Sequence, residues 1–242
     1  MLTIRYMFMS LVIMFTCIHS HAQAQERYSL DGLIEPSQTV NIASPVEGIL
    51  SGVLVDRGDM VARDQIIARL DSKIEKAAME LAKAKVEFSK RKVERNEDLY
   101  KKELLSIHDK DEMETELTIL ELQLRQAEEN VETRTIRSSI DGVVVERFLS
   151  PGERVGDDPI VRIACIDPLY VELVAPAEKF GAITQGAKAE VVLETPKQRK
   201  YIAVVIVVDK VIDAASGTFG VRLLLDNPNY SIPSGIKCKV TF

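Results

Sequence analysis

Two stretches of this chain repeat each other, and the repeat is the strongest constraint on its fold. Sliding the sequence by 94 residues puts Ser44 on Ser138, Gly48 on Gly142, Gly58 on Gly152, Asp59 on Glu153, Val61 on Val155 and Ile66 on Ile160. Each copy reads as short strands around tight turns. The first has Val46 to Val55, a turn at Gly58-Asp59, then Val61 and Ile66 to Leu70; the second has Val143 to Leu149, a turn at Pro151-Gly152, then Val155 and Ile160 to Ile163. Gly48, Gly58, Gly142 and Gly152 are the expected structural turn positions, because glycine takes the positive φ that such turns need. Neither half buries enough on its own, so two of them make a small β-sandwich by packing on each other. The triplet Arg57-Gly58-Asp59 is turn chemistry, not an adhesion signal.

Between the copies, from Asp59 through Asp141, there is no glycine and no proline, which permits long helices. Ser72 followed by Glu75 reads as a capping box opening one helix, and Ser106 followed by Asp109 as the start of a second. In the second, Met113, Leu117, Leu120, Leu124, Ala127 and Val131 alternate spacings of four and three, an a/d seam. The first carries Ile74, Ala77, Leu81, Ala84 and Phe88 on the same rhythm, which turns polar at Arg91 and Arg95. Ser72 to Glu103 holds ten basic and seven acidic residues, whereas Ile107 to Arg134 holds three and nine. An antiparallel pair of opposite sign is self-complementary. It forms a rod of ~45 Å standing off the sandwich, and because a two-helix seam buries little, the rod is expected to gain stability from neighbouring copies.

Composition excludes several classes. The net charge of −6 and pI near 5.3 argue against nucleic-acid binding. Arg5, the apolar stretch Tyr6 to Ile18 and the small residues of Ala22-Gln23-Ala24 read as a secretory signal peptide cleaved after Ala24. Such a stretch rises only ~20 Å against a hydrocarbon core of about 30 Å, which disfavours a permanent span. Phe15-Thr16-Cys17 lacks the small residue that precedes a lipidated cysteine. The mature chain then keeps Cys165, Cys238 and His108, too few ligands for a zinc site of several His and Cys and too little for a His-dependent triad outside His108, which lies in a charged run. No cofactor, metal site or catalytic residue is expected. Whether the two cysteines pair is open at this stage.

A lipoyl-like sandwich cut by a helical hairpin resembles the membrane fusion or periplasmic adaptor family of tripartite efflux pumps (the HlyD/RND-type adaptors), from about Leu30 to Phe242. The resemblance rests on Ile42-Ala43-Ser44-Pro45-Val46-Glu47-Gly48 with Arg57-Gly58-Asp59-Met60-Val61, and on Ile136-Arg137-Ser138-Ser139-Ile140-Asp141-Gly142 with Pro151-Gly152-Glu153-Arg154-Val155, in which Ser139 replaces the usual proline. It implies an elongated, multidomain α+β chain: signal peptide 1–24, an N-terminal strand segment 25–39, lipoyl-like half 1 at 40–70, hairpin 71–134, lipoyl-like half 2 at 135–164 and a β-barrel domain 165–242. The barrel's strands read as Tyr170 to Ala175, Ala189 to Leu193, Ile202 to Val208, Gly220 to Leu225 and Cys238 to Phe242. Val211-Ile212-Asp213, Gly217-Thr218, Val221-Arg222, Asn227-Pro228 and Ile232-Pro233-Ser234-Gly235 carry the barrel's share of the resemblance. Only Tyr28 to Pro36 is left to contribute to a membrane-proximal domain, so any such domain is expected to be vestigial.

The family motif that docks on TolC-type channels is an arginine, a leucine four later and a serine seven beyond that, which here are Arg95, Leu99 and Ser106. Ser106 also suits plain helix capping. The resemblance implies a non-enzymatic, Sec-exported periplasmic protein held at the inner membrane by its pump. Its implied partners are an inner-membrane transporter (RND type favoured, ABC possible), a TolC-like outer-membrane channel and further copies of itself, as a hexamer, with no nucleic acid. The alternatives are a type I protein-secretion adaptor, a structural envelope protein, and a lipoyl or biotinyl carrier. The last would present a modifiable lysine where this chain inserts its helices.

Overall fold

The computed structural model describes residues 28–194 and 199–242. The signal-peptide reading and Cys17 lie outside the described residues. In chain order the strands are β1 (Ser29–Ile42), β2 (Gly48–Val53), β3 (Met60–Val61) and β4 (Ile66–Leu70), followed by the helices α1 (Lys73–Lys101) and α2 (Ile107–Glu132). The chain returns through β5 (Thr135–Arg137), β6 (Gly142–Arg147) and β7 (Arg154–Val155), then β8 (Val161–Pro176), β9 (Lys188–Leu193), β10 (Lys200–Val208), β11 (Thr218–Leu225) and β12 (Lys237–Thr241).

The repeat explains itself in the hydrogen bonds. Strands of one copy pair with strands of the other: Met60 with Val143 and Val61 with Gly142, Gly48 with Val155 and Ile49 with Arg154. The amide of Gly58 donates to the Val144 carbonyl at 2.8 Å, and that of Gly152 donates to the Leu50 carbonyl at 2.8 Å. These bonds are related by the same offset as the sequence. The Ser44 hydroxyl donates to the Val46 carbonyl and the Ser138 hydroxyl to the Ile140 carbonyl, each at 2.6 Å. Asp59 accepts from the Asp56 amide at 2.7 Å, and its counterpart Glu153 accepts from the Ser150 amide at 2.8 Å. The two copies therefore interlock about a pseudo-two-fold and share one core of Leu50, Val61, Ile67, Val144, Val155, Ile160 and Ile163.

The four glycines divide into two kinds. Gly58 and Gly152 have φ of +95° and +92°, as turns of this type require. Gly48 and Gly142 do not turn the chain in the left-handed region; they open β2 and β6. Their need for glycine is close approach: a Cβ on Gly142 would run into the Ala164 carbonyl of β8, and one on Gly48 would lie 2.8 Å from Nη1 of Arg134.

β1 and β8 tie the sandwich to the second β unit. From Gln38 to Ile42, β1 pairs with Cys165 to Val161 in the sandwich; after an irregularity at Ser37, Pro36 to Gly32 pair with Leu169 to Leu173. There the order β1-β12-β9-β10-β11-β8, closed by the β1–β8 pairing, makes a six-stranded barrel. Its core is built from Ile34, Leu169, Val171, Val191, Val205, Leu223 and Val240. The N-terminal strand segment thus belongs to both units. The same register separates the cysteines. Cys238 sits opposite Gly32 and Cys165 opposite Gln38, six positions or about 20 Å along one strand, and both are free thiols.

The hairpin leaves the sandwich between β4 and β5. At its base Arg134 donates to Glu75 Oε1 at 2.6 Å and to the Glu47 carbonyl at 2.8 Å. This clamp corrects the expected capping box. Ser72, whose ψ of 22° lies outside the extended range of a capping residue, makes no side-chain cap bond; Glu75 is turned to Arg134, and the Lys73 amide is met by Asp71 Oδ1 at 3.1 Å instead. The seam of α2 is the expected one, with Met113 buried and Leu117, Leu120, Leu124, Ala127 and Val131 partly covered. The seam of α1 is not. Ile74, Leu81 and Phe88 are 82, 59 and 59% exposed, and Ala77 and Ala84 are exposed with them. The residues facing α2 are Glu75, Met79, Ala82, Val86, Ser89, Val93, Asn96 and Tyr100. A heptad rhythm identifies a stripe but not what the stripe faces; the rotation of α1 is set by its exit from β4 and by the Glu75–Arg134 clamp.

Two outcomes are expected. Gly142→Ala should cost about 3 kcal/mol in urea unfolding, since backbone must move, while Gly152→Ala should cost about 1–2 kcal/mol for the left-handed φ alone; equal costs would contradict the close-approach account. Burial, the main cause, together with Glu194 and Asp31 nearby, pushes the Cys238 thiol up to about 11. Cys238 should therefore resist alkylation at pH 8 in the native protein and react on unfolding, as read by mass spectrometry of the digested chain.

Candidate docking site at the hairpin tip

Helix α1 ends because the chain enters a left-handed residue. Glu103 has φ of +58°, its amide donates to the Tyr100 carbonyl at 2.9 Å, and the Leu104 amide donates to the Leu99 carbonyl at 2.9 Å. That pair of bonds is a Schellman motif with glutamate where glycine is usual, a conformation that costs about 1 kcal/mol. Nothing in residue spacing announces a non-glycine left-handed position, so the shape of the reversal was not readable beforehand.

Helix α2 begins at a serine that caps it. Ser106 Oγ accepts from the Asp109 amide at 3.1 Å and donates to Asp109 Oδ2 at 2.6 Å. The hydroxyl hydrogen bond, chiefly, holds the Asp109 carboxyl below its usual range. Asp109 in the first turn also suits the positive end of the helix dipole.

The structure places the three expected docking residues as follows. Arg95 is exposed on α1, its Nε donating to the Arg91 carbonyl at 3.1 Å. Leu99, 40% exposed, follows one turn later on the same face. Ser106 lies beyond the reversal with its hydroxyl already engaged in the cap. Arg95 and Leu99 therefore share one exposed face of α1, and Ser106 sets where α2 starts. Sequence reasoning missed Leu104, which is 71% exposed at the extreme of the rod, and a cleft of about 220 Å³ below it lined by Val93, Asn96, Tyr100, Leu105, Lys110 and Met113. The Lys110 ammonium lies 4.7 Å from the Tyr100 ring centre and 3.5 Å from Glu114.

Opposite charge on the two helices is realised as cross-helix pairs: Lys92 with Glu116 at 2.9 Å and Lys90 with Glu121 at 3.0 Å. Both are solvated and worth at most about 1 kcal/mol each. They fix the relative height of the helices more than they hold them together. Among the described residues no group of three or more His, Cys, Asp or Glu could hold a metal ion, and no helix is long and apolar enough to cross a membrane.

A family model described as the CzcB-like, barrel-sandwich hybrid domain matches residues 38–164. Among curated proteins, none matches the sequence. Solved structures share the fold. A MacA–MexA chimera carrying the Pseudomonas aeruginosa MexA α-hairpin domain superposes with a TM-score of 0.76 at 18% identity, covering 89% of this chain and 78% of that one. The membrane fusion protein Spr0693 of Streptococcus pneumoniae gives 0.69 at 17%, covering 88% and 97%. ZneB of Cupriavidus metallidurans gives 0.54 at 20%, covering 89% and 97%. Identities this low establish common architecture.

The cap is directly testable. Ser106→Ala should destabilise the distal hairpin by about 1 kcal/mol, seen as faster amide exchange in the first turn of α2 while exchange in the barrel is unchanged.

Proposed function

Because this chain belongs to the CzcB-like barrel-sandwich hybrid family, we propose that it is a periplasmic adaptor. In this reading it joins an inner-membrane transporter, of RND type in preference to ABC, to a TolC-like outer-membrane channel for the export of small molecules. The observation that carries the reading is the interruption of the sandwich. Where a carrier domain would present its modifiable lysine between the halves, this chain extends a helical rod about 44 Å long, whose end displays Arg95 and Leu99. The rod serves reach and contact, not chemistry. The membrane fusion protein that shares the fold, the secretory character of residues 1–24 and the spacing of Arg95, Leu99 and Ser106 all support the same assignment. Copies act together, as a hexamer in the assembled pump, so that each weak tip contact is repeated around the channel.

In docking, the Arg95 guanidinium would donate directed hydrogen bonds to carbonyls or carboxylates of a channel helix, and Leu99 would add apolar contact. Arg95→Asp reverses the charge of an exposed side chain, so folding, secretion and thermal melting should stay within error of wild type. Crosslinking to the channel in cells and export should be lost, as expected for interface substitutions costing about 1–3 kcal/mol at each of several copies. An Arg95→Asp protein that still crosslinks and exports fully would overturn the docking assignment.

A further inference from the structure

Where the hairpin leaves the sandwich, the outer face of the β4–β5 ladder and the first turn of α1 form a concave corner of about 450 Å³. Alternation along the strands decides what looks into it. Ala68 and Ile136 point into the sandwich core, so Arg69 on β4 and Thr135 and Arg137 on β5 point outward, with Arg69 opposite Thr135. Lys76 lines the corner from α1, and Arg134 from the turn that follows α2. Four cationic side chains and the Ser72 hydroxyl thus line the cleft, and no carboxylate does. In a chain with 37 acidic and 31 basic residues, this is a local reversal of sign. Two of the cations are fixed from outside the cleft: Arg134 by Glu75 and the Glu47 carbonyl, and Arg137 by donating to Glu132 Oε1 at 3.0 Å and to the Asp64 carbonyl at 3.1 Å. Arg69 and Lys76 join no ion pair among the described residues, and Asp71, just before α1, is matched by Lys73 at 3.3 Å. Setting Glu75 and Glu132 against Arg134 and Arg137 therefore leaves the charges of Arg69 and Lys76 uncompensated. Because α1 begins and α2 ends beside the cleft, their dipoles oppose, and the side chains set the potential.

We infer that this corner at the root of the hairpin binds a phosphate monoester, carried by a small soluble molecule or by a lipid headgroup. The inference is independent of the adaptor reading and of the residues at the tip. A phosphate monoester carries about −1.5 to −2 charge at neutral pH, which matches the two uncompensated cations. Arginine forks pair with phosphate oxygens and lysine adds a point charge. Arg134 and Arg137 are already held, so they meet the ligand without giving up the freedom that an unrestrained side chain loses on binding. Ser72 makes no side-chain cap bond, which leaves its hydroxyl free to donate to a phosphate oxygen. The volume falls in the range of about 300–1,000 Å³ of small-molecule sites, so the cleft also has room for the group that bears the phosphate. The cations come from α1, β4, β5 and the turn after α2, and a phosphate held among them bridges the hairpin's root to the sandwich.

The test uses the full-length mature protein with two probes, glycerol 3-phosphate in titration calorimetry and phosphatidylcholine vesicles containing phosphatidate in flotation. Arg69→Gln/Lys76→Gln should weaken binding at least about tenfold with melting unchanged, since both side chains are exposed. Lys83→Gln/Lys85→Gln, which removes the same charge from exposed positions further along α1, should bind as wild type does. On the wild type itself, the bound probe should slow amide exchange in the first turn of α1. Flotation with phosphatidate vesicles, reversed by glycerol 3-phosphate, assigns the site to a lipid headgroup; calorimetric binding without flotation assigns it to a soluble phosphate. Wild type that binds neither probe overturns the site. So does binding that Arg69→Gln/Lys76→Gln leaves intact, binding that the Lys83/Lys85 control weakens equally, which reports only general attraction to basic helices, or exchange protection confined to other parts of the chain.

Discussion

The antiparallel ladder between β1 and β8 is the constraint on which the rest of the molecule depends. It runs from Ile42 opposite Val161 to Gly32 opposite Leu173, with a single irregularity at Ser37. Below that point its inward residues belong to the sandwich core, and above it Ile34, Leu169 and Val171 belong to the barrel. Two units that share a hydrogen-bonded ladder cannot swing about a flexible linker. Arg162 on the same strand reinforces the sandwich side by donating to Asn41 and Glu146.

The hairpin is held differently, and the contrast follows from what each part buries. The sandwich and barrel have continuous apolar cores, whereas between α1 and α2 only Val86, Ser89 and Met113 are buried. The hydroxyl of Ser89 has no hydrogen-bond partner there, a further cost at the middle of the seam. The rod therefore takes its direction from its root, where Arg134 joins Glu75, the Glu47 carbonyl and the first strand of the second repeat copy. The hairpin is therefore a thinly packed shaft on a stiff base.

Charge distribution follows the same division. The cross-helix pairs Lys92–Glu116 and Lys90–Glu121 lie at the surface and set register, not stability, whereas Arg134–Glu75 at the root is partly buried, and among the described residues the ion pairs of the barrel are solvated. Electrostatics here acts between the two helices of the hairpin, while burial of Val, Ile and Leu on the strands supplies the free energy of folding.

Much of this was legible from residues alone. The offset repeat pointed to two halves packed on each other, the Gly- and Pro-free interval permitted the helices that the 3/4 spacing then marked, and the alternation in Ala189 to Leu193 or Gly220 to Leu225 placed barrel strands, because period and turn chemistry are local properties. The serine at 106 was readable for the same reason: its partner Asp109 is three residues away. What sequence could not decide were the choices between equivalent local solutions. Ile74, Leu81 and Phe88 make as good a heptad as Val86 and its neighbours, and only the exit from β4 with the Glu75–Arg134 clamp turned one stripe inward and left the other exposed. Ser72 and Glu75 have the spacing of a capping box, but Arg134, 59 residues away, took the glutamate. The separation of Cys165 from Cys238 and the clash that keeps Gly142 a glycine likewise depend on which strand lies beside which, a long-range register that no local pattern encodes. Sequence alone determined which segments could be strand, helix and turn; the tertiary structure decided which faces they turned to one another, because that depends on contacts between residues far apart in the chain.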